Sequence, residues 1–139
     1  KDYWERYLRS LDVMKRLKNK TRTVLRMTLI KNHNMSNPEQ YTELFRRADP
    51  DYIEVKAYIH VGFSRKRLTA IDSPTHSDMK NFAQDFIKCW PELKVIDEKV
   101  ESRIVLLGKE DKPDRIIKNP PIATSIPKQN WKGKKQLSQ

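Results

Sequence analysis

The residues best placed to do chemistry sit on two short alternating segments. In TRTVLRMTLI (21–30), Leu25, Met27 and Leu29 share one parity, while Arg26 and Thr28 fall on the other. In DYIEVKAYIH (51–60), Ile53, Val55, Ala57 and Ile59 share one parity, and Glu54, Lys56, Tyr58 and His60 the other. Side chains alternate across a strand, so each segment reads as a strand with one apolar and one charged face. An amine beside a carboxylate can grip a charged ligand. Kept neutral by burial, it can instead trap a carbonyl. A nearby carboxylate favours the protonated form, so Lys56 reads as a charged grip with Glu54 beside it. Two settings fit such a face: the wet side of an open-faced sheet, or a barrel interior lining a cavity for a polar ligand.

Both segments end in polar loops, KNHNMS (31–36) and VGFSRKRLTAIDSP (61–74). The second is long for a strand-to-helix connection, and such loops at the C-terminal strand ends carry the sites of parallel barrels. It holds three consecutive cations, Arg65, Lys66 and Arg67, with Phe63 ahead and Leu68 behind as expected anchors.

The elements that position these residues follow from periodicity. Residues 3–18 carry Trp4, Tyr7, Leu8, Leu11, Met14 and Leu17 at helical spacing. A second helix starts at Pro38, with Asn37 as expected N-cap and Gln40 in capping-box register. A third starts after Thr75, with Asp78 three residues on, and runs through Met79, Phe82, Ala83, Phe86, Ile87 and Trp90. LKVIDEKVESRIVLLGK then reads as two strands turning at 99–102. The order α, β, α, β, α, β, β predicts an α/β fold with a parallel sheet and right-handed crossovers. Such a sheet is either a small open sandwich or part of a larger barrel. Residues 1–108 form the expected domain, and 109–139, rich in proline and lysine, read as a basic, mobile tail.

Composition bounds the function. The 139 residues are 37% hydrophobic and 34% charged, with a net charge of +11 and a pI near 9.8, which favours polyanions, RNA or DNA first, as partners. No run reaches the apolar length of a membrane span, and KDYWERYLRS is too polar for a signal peptide, so a soluble cytoplasmic protein with no membrane partner is expected. The single Cys89 excludes an internal disulfide and a cysteine-rich metal site from this chain alone. His33, His60 and His76 lack metal-ligand spacing, so no metal ligands are assigned. Nucleophile-elbow and glycine-rich phosphate loops are also missing.

Residues 22–107 resemble a known family. RTVLRMTLIKNHNM, DYIEVKAYIHVGFSRKRL, SPTHSDM and IDEKVESRIVLL are similar, in that order, to the C-terminal half of the tRNA 4-demethylwyosine synthases, nearest the archaeal branch. These are radical S-adenosylmethionine enzymes of the wybutosine pathway. Two departures stand out. The family pattern Lys-Gly-x-Asn is here Lys31-Asn32-His33-Asn34, and Asn is the next best residue after Gly for a left-handed position. Pro-x-His-Glu-Glu is here Pro74-Thr75-His76-Ser77-Asp78, which keeps an N-cap and an acidic first turn.

The resemblance implies the C-terminal part of a partial TIM barrel of the radical SAM type, with a C-terminal β-hairpin. It implies a lyase using S-adenosylmethionine and a 4Fe-4S cluster to convert N1-methylguanosine of tRNA-Phe, with pyruvate, to 4-demethylwyosine. The cluster cysteines and the Schiff-base lysine of the family lie upstream, in the missing N-terminal half of the barrel, so the chain alone is expected to be inactive. Glu54 and Lys56 then become catalytic candidates. Arg26, Thr28, Lys31 and Asn34 become cofactor-binding candidates, and Arg65, Lys66 and Arg67 tRNA-backbone contacts. The alternative is a basic RNA-binding α/β domain without catalytic activity.

Overall fold

The computed structural model describes residues 2–116. Helix α1 spans Tyr3–Leu17, followed by strand β1 (Val24–Leu29), helix α2 (Pro38–Ala48) and strand β2 (Tyr52–Ala57). Helix α3 (His76–Cys89) precedes strands β3 (Lys94–Lys99) and β4 (Ile104–Gly108). Between β2 and α3 lie two short 3₁₀ turns, Gly62–Lys66 and Ala70–Asp72.

β1 and β2 are parallel neighbours, pairing Arg26 with Glu54 and Thr28 with Lys56. The sheet as a whole is mixed, not parallel. Its order is β1-β2-β4-β3, with β4 antiparallel to both neighbours. The four-residue connection from β3 forces antiparallel pairing, since parallel strands need a long crossover. β4 takes the central place because Val105 and Leu107 are apolar enough to be fully covered. β3, with Lys94, Asp97, Glu98 and Lys99 exposed, is an edge strand of the charged kind that resists further pairing. Gly108 closes β4 where a Cβ would stand 3.1 Å from the Asp51 carbonyl and 3.1 Å from the Tyr52 ring.

The apolar parity of the strands packs on helices as the alternation requires. Met27, Leu29, Ile53, Val55, Ala57, Val105 and Leu107 meet Phe45 of α2 and Met79, Phe82, Ala83 and Phe86 of α3 in one core. Edge-to-face and tilted rings link Tyr41, Phe45, Phe82 and Phe86 at centroid distances of 6.1–6.4 Å. α1 packs on α2 and buries Leu11 alone.

The helix starts differ from one another. Thr75 and Asp78 form the expected capping box of α3: the Asp78 N–H donates to Thr75 Oγ1 (3.1 Å), and the Thr75 N–H to Asp78 Oδ2 (2.9 Å). The box expected at α2 is not made. Asn37 precedes Pro38 but has φ 54°, and its side chain makes no cap bond. A capping side chain works from extended backbone, and the left-handed turn at Asn37 removes that geometry. The Gln40 N–H instead donates to the Asn37 carbonyl (3.1 Å).

The strand starts are tied by a buried carboxylate. Asp51 Oδ2 accepts from the Thr23 N–H (2.8 Å) and hydroxyl (2.9 Å), and Oδ1 pairs with Lys112 Nζ (2.5 Å). Burial pushes the Asp51 carboxyl up, but the bonds from Lys112 and Thr23 outweigh it and hold the pKa below its ordinary value. The Lys112 N–H also donates to the Tyr52 hydroxyl (3.0 Å), and Arg115 pairs with Asp97 (2.9 Å). Beyond the boundary expected at 108, Lys112 and Arg115 are thus bonded to residues of the sheet and its strand starts. The rest of the expected tail, 117–139, lies outside the described residues.

Candidate functional site

The polar parity of β1 and β2 projects from the sheet face opposite the helices, so the parallel register sets Arg26, Thr28, Glu54 and Lys56 in a two-by-two array. Arg26 Nη2 donates to Glu54 Oε2 at 2.9 Å. The Glu54 side chain is only 15% exposed and Arg26 60%, so the carboxylate is the desolvated member. Its other oxygen, Oε1, is buried without a hydrogen-bond partner. Leu106 of β4 stands opposite Glu54 and Ile104 opposite Lys56, so the third strand offers no polar group there. Lys56 is half-buried and pairs with no carboxylate among the described residues. Two residues apart on one strand, Glu54 and Lys56 present opposite charges about 7 Å apart along the chain. That array can hold a ligand carrying both an ammonium and a carboxylate.

The turn after β1 is built into the scaffold. Asn32 takes φ 64°, the left-handed conformation anticipated where the family has glycine. Asn34 Oδ1 accepts from the Ile30 N–H (2.6 Å), and Nδ2 donates to the Thr28 carbonyl (3.0 Å), so its amide closes the end of β1. Lys31 turns toward α3. Its N–H donates to the Asp72 carbonyl (2.8 Å) and its Nζ approaches Asp78 Oδ2 (3.3 Å). Bonds from the Thr75 N–H and hydroxyl, helped by Lys31, hold the Asp78 carboxyl below its ordinary pKa against a smaller effect of burial. Thus Arg26, Thr28, Glu54 and Lys56 come together, whereas Lys31 and Asn34 stand apart at the strand end.

The long loop is tied down at several points. Tyr58, 8% exposed, donates its hydroxyl to Ser64 Oγ (2.9 Å) and lies 3.1 Å from His60 Nδ1. Ser64 Oγ donates to the Val61 carbonyl (2.6 Å), and Ser73 Oγ to the Tyr58 carbonyl (2.7 Å). Arg103 reaches across to Ser73 Oγ and the Pro74 carbonyl. Arg65, Lys66 and Arg67 are all exposed. Phe63 is 79% exposed and does not anchor the loop; the Tyr58–Ser64 tie does. The alternation had placed Tyr58 and His60 on the polar face, but no local signal tied them to Ser64.

Two cavities lie away from the array. One, about 430 Å³, includes Lys31, His33, Asp78 and Asn81; the other, about 640 Å³, lies between α1 and α2 beside Trp4, Tyr41 and Leu44. His76 Nε2 is 3.1 Å from Glu98 Oε2, and His33 Nε2 is 3.7 Å from Asp72 Oδ1. Among the described residues, no group of three His, Cys, Asp or Glu side chains could hold a metal ion. Nor is any helix there long and apolar enough to cross a membrane.

The family model for wyosine base formation matches residues 47–109, from the end of α2 to the end of β4. This likeness to the wyosine base formation family spans just under half of the chain. The matched segment includes Glu54, Lys56 and the basic loop, while Arg26 and Thr28 lie ahead of it. The S-adenosyl-L-methionine-dependent tRNA 4-demethylwyosine synthase of Pyrococcus horikoshii is 46% identical over 110 residues, 79% of this chain and 32% of that protein. The enzyme of the same name from Methanocaldococcus jannaschii is 39% identical over 112 residues, 81% of this chain and 34% of that protein. The structure of TYW1 with a lysine-pyruvate adduct bound matches with TM-score 0.68 and 36% identity, over 81% of this chain and 34% of that one. The crystal structure of archaeal TYW1 matches with TM-score 0.61 and 32% identity, over 78% of this chain and 33% of that one. The chain spans about a third of the length of the curated relatives it matches.

Proposed function

We propose that this chain is the C-terminal portion of a 4-demethylwyosine synthase, a radical S-adenosylmethionine lyase acting on tRNA-Phe. In this reading the Arg26–Glu54–Lys56 array lines the interior of a partial TIM barrel, and the barrel is completed by polypeptide outside these residues. One observation carries it: Glu54 Oε1 is buried and unanswered on a sheet face with no helix packed on it among the described residues. A desolvated acceptor without a donor costs about 1–3 kcal/mol, a cost that a bound ligand would relieve.

The donor set fits S-adenosylmethionine, whose ammonium, carboxylate and ribose hydroxyls match Glu54, Lys56 and Thr28 in kind. It does not fit an iron-sulfur cluster, since the single cysteine, Cys89, is on α3, whose inner side packs on the opposite face of the sheet. Cluster ligands belong upstream, as the family pattern has them. The chemistry that S-adenosylmethionine supplies beside its cluster is radical activation of the N1-methylguanosine methyl group, to which pyruvate adds two carbons.

Within the array, Lys56 holds a carboxylate of pyruvate or S-adenosylmethionine, Glu54 accepts from an ammonium, and Arg26 fixes the Glu54 rotamer. Thr28 offers a hydroxyl to the same ligand. The turn from Lys31 to Asn34 fixes the mouth. Arg65, Lys66 and Arg67 hold tRNA phosphates at the rim, because tRNA is too large to enter the barrel and its target base must be unstacked to reach it.

The test is Lys56→Ala in the complete protein. Product formation should fall by about 100-fold, equivalent to about 2.7 kcal/mol, while borohydride still traps pyruvate on the enzyme. Loss of trapping would make Lys56 itself the Schiff-base lysine. A basic RNA-binding domain without chemistry accounts for the exposed cations but leaves Glu54 Oε1 without a purpose.

A further inference from the structure

Phe63 is the most exposed phenylalanine of the described chain, with 79% of its surface open. It sits in the 3₁₀ turn Gly62–Lys66, which is entered through Gly62 at φ 61°. The turn is closed by the Arg67 and Leu68 N–H groups donating to the Ser64 carbonyl (both 2.9 Å), and Ser64 is pinned by Tyr58. The ring is therefore held out by a bonded turn. Lys66 Nζ lies over it, 4.5 Å from the centroid. Neither Lys66 nor its neighbours Arg65 and Arg67 pairs with a carboxylate among the described residues.

An exposed ring on a bonded turn, ringed by unpaired cations, is complementary to single-stranded nucleic acid. Bases stack on an aromatic face and phosphates meet the cations. Polypeptide interfaces deplete lysine, and here it is the Lys66 ammonium that lies over the ring, which favours phosphate over a protein partner. We propose that Phe63 is the stacking platform for an unpaired nucleobase of the tRNA, with Lys66 moving from the ring to a phosphate on binding. This rests on the tRNA reading above and deepens it. The cations supply sequence-independent affinity, and Phe63 adds preference for RNA whose bases are already out of the helix.

The experiment uses the 139-residue chain with two RNA probes of equal length, a hairpin with a seven-nucleotide loop and a blunt duplex, each titrated across a salt series. Phe63→Ala should weaken hairpin binding about 5- to 100-fold, leave duplex binding unchanged and keep the salt slope. Phe63→Trp should restore hairpin affinity, whereas Phe63→Leu should not. Lys66→Ala should reduce the slope by about 0.7–0.9. Thermal melts of all variants should match the parent, because the ring is exposed. Hairpin affinity unchanged in Phe63→Ala, or restored by leucine, overturns the stacking role while the cation contacts stand. Failure of the parent chain to bind either RNA overturns the tRNA contact itself. Selective binding to anionic vesicles instead would assign the loop to a lipid surface.

Discussion

Asp51 and Glu54, just ahead of β2 and in its middle, are carboxylates with opposite surroundings. Asp51 has 1% of its side chain exposed, and both its oxygens are answered, by Thr23 and by Lys112. Glu54 has one oxygen answered by Arg26 and one buried with no partner. A charge taken out of water is tolerated where hydrogen bonds replace the water, and it is costly where they do not. The contrast separates a carboxylate whose oxygens are both answered from one that is answered at a single oxygen.

The largest expected effect is at Asp51. Asp51→Ala strands the Thr23 N–H and hydroxyl and frees Lys112, and should lower the unfolding free energy by about 3 kcal/mol in urea titrations. Glu54→Ala removes an acceptor that no donor answers and should leave it unchanged or raise it, by up to about 1–3 kcal/mol; an equal loss at both sites would break the comparison. In the complete synthase proposed above, the order should reverse. There Glu54→Gln should lower kcat/KM by about 100-fold, equivalent to about 2.7 kcal/mol, with the urea midpoint unmoved.

A pH series sharpens the same contrast. The Asp51 pKa is depressed in the folded state, so its contribution is full above the ordinary value of 3.8 and is lost as pH falls through the depressed one. Stability of the parent should therefore fall more steeply in acid than that of Asp51→Asn, and parallel curves would remove Asp51 from the account. The smallest effects concern the helix starts. Thr75→Ala should cost about 1 kcal/mol through the lost cap, whereas Asn37→Gly, at a left-handed position without a side-chain cap bond, should stay within about 0.5 kcal/mol.

Local pattern in the sequence carried the parts of the fold that are locally determined. Alternation in 21–30 and 51–60 identified the two strands and the polar parity that holds Arg26, Thr28, Glu54 and Lys56, and the helix between them their parallel direction. Thr75 and Asp78 announced α3, and Asn32 its left-handed turn. What failed was non-local or conformational. No local cue says that β4 slips between β2 and β3, because strand order is settled by which strand is apolar enough to be covered on both edges. Asn37 has the right identity and place for a cap but the wrong backbone angle. Lys112 finds Asp51 across 61 residues of chain. At the candidate site the alternation put the four array residues on one face, while the resemblance supplied Lys31 and Asn34, whose bonds tie them to Asp78 and to the end of β1. Phe63 was misplaced because apolarity implies burial only on average.

The slender attachment of α1 has a consequence for motion. One buried leucine, half-buried Leu8 and Met14, the solvent-exposed pair of Arg47 with Asp12 at 2.6 and 2.8 Å, and the pair of Lys18 with Asp49 at its C-terminal end hold fifteen residues against α2. An exposed ion pair contributes at most about 1 kcal/mol, so the helix can lift away while the sheet and its two other helices stay closed. In deuterium exchange its amides should therefore open as a separate low-energy unit, well before those of β2, whose protons are released only with the whole molecule.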